Sequence, residues 1–119
     1  MRTKFLLLGL AFFEKGKRDK ALYCFQKVTQ LEYERIDDAF FQLGEIYMEM
    51  HNYNEAINYF QKTIKISPDH INAYYLLGKI YADNKNEIKV IEQITKLRQL
   101  DRHDLADDLE QFISIDVNP

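Results

Sequence analysis

Phe40-Phe41-Gln42-Leu43-Gly44-Glu45-Ile46-Tyr47 is the stretch that decides how this chain folds, because its chemistry returns on either side of it. Upstream stands Phe5-x-x-Leu8-Gly9-x-x-Phe12, and downstream Tyr74-x-x-Leu77-Gly78-x-x-Tyr81, so that Gly9, Gly44 and Gly78 lie 35 and then 34 residues apart. Aromatic, leucine and aromatic at i, i+3 and i+7 share one face of a helix. A glycine inside a helix costs about 1 kcal/mol relative to alanine. Three of them in register imply a packing reason, namely the close approach of a partner helix.

The second half of each copy supplies that partner. Twelve residues after the first two glycines come Ala21 and Ala56, and four residues further on Phe25 and Phe60, which open the matching tripeptides Phe25-Gln26-Lys27 and Phe60-Gln61-Lys62. A small residue beside a large one lets two helices interlock as ridge and groove. The period and this pairing predict repeated antiparallel helix pairs, with helices over 2–14, 18–31, 37–50, 53–66, 71–83, 86–100 and 104–115. Gly16 and Asn52 are expected to end the first and third helices in the left-handed conformation. Ser67-Pro68-Asp69 should stop the fourth, with Asp69 capping the fifth and Asp104 the seventh.

Composition agrees with such an architecture. Four glycines and two prolines in 119 residues are sparse punctuation, and 46% hydrophobic with 29% charged residues is an ordinary globular balance. A net charge of −3 gives no basic footprint for nucleic acid. The charge is uneven: residues 1–35 hold eight Lys/Arg against four acids, whereas residues 101–119 hold one Arg against six. Cys24 is the sole cysteine, which excludes an internal disulfide, suits a reducing, cytoplasmic compartment and reads as a small buried hydrophobe. Met1-Arg2-Thr3-Lys4 followed by the apolar run 5–13 imitates a secretory signal. Glu14-Lys15-Gly16-Lys17 offers no small-residue cleavage site, and the run is too short to span a bilayer, so neither leader nor membrane insertion is expected.

These motifs together resemble the tetratricopeptide-repeat family. The middle copy, 37–70, carries the family pattern in Phe40, Leu43, Gly44, Tyr47, Ala56, Phe60 and Pro68, with Thr63 at a usual alanine. The first copy, 2–35, keeps Phe5, Leu8, Gly9, Phe12, Ala21 and Phe25 but lacks the proline. The third, 71–104, keeps Tyr74, Leu77, Gly78 and Tyr81 and then drifts, with Val90, Ile94 and Arg102 at the alanine, aromatic and proline positions. The last helix, with Leu105, Leu109, Phe112 and Ile113 on one stripe and Asp107, Asp108 and Glu110 outward, looks like a capping helix. The resemblance implies an all-α fold, a right-handed superhelical stack of about seven helices forming a single domain over residues 1–119.

It also implies a function. In this family the first helix of each pair lines a concave groove that receives peptides, and the matching positions here include Leu6, Leu10, Phe13, Phe41, Glu45, Met48, Glu49, Tyr75 and Lys79. Thr3, Glu14, Asp38, Asn72, Ala82 and Asp83 complete the lining. The cationic clamp by which some members grip a terminal carboxylate is missing, since Leu6, Leu10, Gln42, Asn72 and Leu76 stand at its places. A partner with an apolar segment suits the lining. The first helix is apolar on every side, so Leu6, Leu7, Leu10 and Phe13 are expected to be covered, for instance by a second copy in a homodimer. A holdase for hydrophobic segments is a further alternative.

Enzyme chemistry has no foothold in the sequence. There is no phosphate-binding loop, dinucleotide fingerprint, Gly-x-Ser-x-Gly or HExxH pattern, and no cofactor is implied. His51, His70 and His103 lack ligand spacing, and the acids Asp101, Asp104, Asp107 and Asp108 lack the spacing of a calcium loop. No catalytic or metal-binding residue is therefore assigned.

Overall fold

The computed structural model describes residues 4–31 and 36–113, and among these it contains seven α-helices and no strand. They are α1 (Lys4–Glu14), α2 (Arg18–Leu31), α3 (Ile36–Glu49), α4 (Tyr53–Ile66), α5 (Ile71–Asp83), α6 (Glu87–Gln99) and α7 (His103–Glu110). The chain divides into two compact units, Met1–Pro68 and Asp69–Pro119.

In the first unit, α1 packs on α2 and α3 on α4 as the repeat demands. Its core joins Leu6, Ala21, Phe25, Val28, Ala39, Leu43 and Ile46, all buried. The glycine register has the expected cause. A Cβ on Gly9 would stand 2.6 Å from the Phe25 ring, and one on Gly44 2.6 Å from the Phe60 ring. Both rings are wholly buried. Thr63 tolerates its buried position because its hydroxyl donates to the Tyr59 carbonyl at 2.9 Å. Ser67 donates to Asp37 at 2.6 Å, tying the end of α4 to the start of α3.

The second unit departs from the pattern. A Cβ on Gly78 would meet Leu109 of α7, not a side chain of α6. Where Phe25 and Phe60 stand in the first two repeats, the third has the smaller Ile94, and the capping helix delivers the large side chain instead. Leu109 and Ala106 of α7 are fully buried, as is Leu97 of α6. Asp108 does not point outward as the stripe suggested: it accepts a hydrogen bond from the Tyr75 hydroxyl and another from Gln111 at 3.0 Å.

Four turns share one hydrogen-bond scheme. Gly16, His51, Lys85 and Asp101 all adopt positive φ, between 58° and 75°. The next residue's N–H returns to the carbonyl five before it: Lys17 to Phe12, Asn52 to Tyr47, Asn86 to Tyr81 and Arg102 to Leu97, at 2.8–2.9 Å. This is the Schellman arrangement. The left-handed residue of the second turn is thus His51 rather than Asn52, which instead precedes α4 as its N-cap. Two further caps differ from expectation. His70, not Asp69, caps α5 by accepting from the Ala73 N–H at 3.2 Å. Arg102 precedes α7, and Asp104 takes two hydrogen bonds from its guanidinium, at 3.0 and 3.1 Å.

Candidate functional site

The first-helix positions of the opening unit form a half-exposed stripe over a finished core. Leu10 and Phe13 of α1 are half-buried and pack against the core cluster from above, while Leu6 lies in the cluster itself at 2% exposure. Leu6 therefore leaves both the groove set and the self-association set, because Ala39, Leu43 and Ile46 of α3 share its burial site. On α3, Phe41, Glu45 and Met48 are half-buried and Glu49 is exposed. Their spacing of three and four residues keeps them on one side of the helix. The Phe41 ring tilts against Phe60, centroids 5.5 Å apart, so it supports the core as well as the surface.

Glu45 is electrostatically unusual. Burial and the neighbouring Glu49 carboxylate push its pKa up to about 7 from the usual 4.5. Because the folded state holds this proton more tightly than the unfolded state, the stability it protects is fully present below pH 4.5. That stability is lost as pH rises toward and through 7. Glu45→Gln should match the wild type near pH 4 and exceed it by about 1–3 kcal/mol at pH 8. Urea midpoints at the two pH values measure this, and equal wild-type and variant stabilities at both would contradict it.

In the second unit the candidates are engaged from within. Tyr75 is tied through its hydroxyl to Asp108, and that bond pushes its pKa up to about 12. The Lys79 ammonium lies over the Tyr75 ring at 5.4 Å. The remaining acids near the cap have partners as well: Asp107 and Glu110 both pair with Arg98. Among the described residues no group of three or more His, Cys, Asp or Glu side chains is placed to hold a metal. Cys24 is 4% exposed, and burial raises its thiol pKa. Thr3 lies outside the described residues.

Two further apolar features lie on the surface of the described residues. Leu7 is 60% and Leu8 39% exposed, whereas Leu43, the counterpart of Leu8, is 1% exposed. Leu43 packs in the core with Phe25 and Val28 of α2, and Leu8 has no such helix among the described residues. The second feature escaped the sequence reading. A shallow cleft of about 610 Å³ in the second unit is lined by Tyr74, Ile88, Ile91, Gln93 and Lys96, among others. Its signal was present, since Ile88 occupies the repeat position of Asp19 and Asn54.

Comparison with known proteins bears on this geometry directly. One family model, described as "TPR repeat", matches residues 44–85, and a second, "Tetratricopeptide repeat", matches residues 5–31. The chain is a tetratricopeptide-repeat protein. The crystal structure of MamA matches 92% of it with a TM-score of 0.72 and 25% identity. Protein bimA of Emericella nidulans is 30% identical over 86 residues. This tetratricopeptide-repeat chain spans 58% of the MamA chain and 10% of bimA. The family is in general one of non-enzymatic scaffolds, and membership supports a protein–protein interaction role. No helix among the described residues is long and apolar enough to cross a membrane.

Proposed function

We propose that the chain is an adaptor that holds a segment of another protein on the first-helix face of α1 and α3. The supporting observation is the stripe of Leu10, Phe13, Phe41 and Met48, left half-exposed although the core beneath is already closed by Leu6, Leu43 and Ile46. Apolar side chains kept partly in water forgo burial worth about 25 cal/mol per Å², and a docked segment recovers it. Tyr75 and Lys79 contribute less to this reading than the repeat positions suggested, because α7 and each other already engage them.

Met48→Arg tests the face without opening the core, since Met48 is half-exposed and a long cation there obstructs the stripe. A bound partner should be lost from the variant while its helical circular dichroism and melting temperature stay unchanged. Retention of the partner at unchanged affinity refutes the assignment. A second reading, self-association through α1, is favoured by the exposure of Leu7 and Leu8.

A further inference from the structure

We propose that the face of α1 and α3 selects a segment bearing an arginine or lysine between apolar neighbours, with the cation seated between Glu45 and Glu49. This rests on the reading of that face as the partner site. The ionisable groups at its positions are Glu14, Asp38, Glu45 and Glu49, with no lysine or arginine among them. The unit's cations gather elsewhere, as in Lys15, Lys17, Arg18 and Lys20 around the α1–α2 turn. The ionisable side chains at the positions of this face are therefore all acidic.

Glu45 is the group that needs a partner. No ion pair or hydrogen bond from a described residue reaches it, and its nearest charged influence is the like charge of Glu49. Buried acceptors without donors are costly, and folded chains ordinarily pair them. An apolar ligand would bury Glu45 further without compensation, and an acidic ligand would add repulsion. A guanidinium, with five N–H donors in a fixed fork, or an ammonium with three, answers the Glu45 and Glu49 carboxylates together. Apolar residues flanking that cation would fit Leu10, Phe13 and Met48, which is the chemistry already required of the partner.

The test is a random dodecapeptide phage library selected on the full chain. Enriched peptides are then titrated by fluorescence polarisation against the wild type, Glu45→Gln/Glu49→Gln and Met48→Arg. Enrichment of Arg or Lys beside apolar residues is expected, with about tenfold or greater loss of affinity for the double glutamine variant. That variant neutralises one half-buried and one exposed carboxylate and keeps side-chain shape, so it should fold, as circular dichroism will verify. Peptides that lack a base, or that bind the glutamine variant as tightly as the wild type yet are lost on Met48→Arg, overturn the cationic ligand and leave the face intact. Peptides indifferent to Met48→Arg, or no enrichment at all, overturn both.

Discussion

Phe60→Ala is expected to remove about 3–5 kcal/mol from the stability of the unit Met1–Pro68, the usual cost of emptying a fully buried aromatic site. The ring is wholly enclosed, lies against the bare backbone of Gly44 and supports Phe41 at 5.5 Å. The Gly44 side of the site cannot collapse into the vacancy. Gly44 has no side chain to extend, and the helix backbone that bears it is held by its own hydrogen bonds. Urea denaturation followed by circular dichroism measures the loss. A change below about 1 kcal/mol would mean that the ring fills no tight site.

Leu109→Ala should cost the second unit about 2–5 kcal/mol, and the effect carries a signature that a generic cavity lacks. Gly78→Ala alone should be unfavourable by about 1–3 kcal/mol, because its methyl would collide with Leu109. In the Leu109→Ala background the same change finds room, and the helical preference for alanine, about 1 kcal/mol, should make it neutral or stabilising. A double-mutant cycle reads this reversal of sign. Additive effects would show that α7 does not seat on Gly78.

The contrast between these two sites shows what sequence alone could reveal. Gly44 and Phe60 were legible because their pairing is written twice, as Gly9 with Phe25 and again sixteen residues apart. Gly78 with Leu109 has no second copy, so periodicity could not announce it. Leu6 was misplaced for another reason: repeat register puts it where Phe41 stands in the second copy, and a helix apolar on every side carries no amphipathic signal to correct that. The half-buried Glu45 was found as a charge on the lining, but its shifted acidity depends on the depth of α3, which composition does not record. His51, Lys85 and Asp101 in left-handed turns were invisible because backbone hydrogen bonding, not residue type, fixes them.

The turn at Asp101 also limits how this molecule could be lengthened by design. It has the same geometry as the turns inside each helix pair, so α6 closes one hairpin and opens another. A further helix pair joined after Gln99 would displace α7 and strip Leu109 from Gly78. To graft another module, an engineer would have to restore a bulky side chain at Ile94 or supply one from the incoming helix.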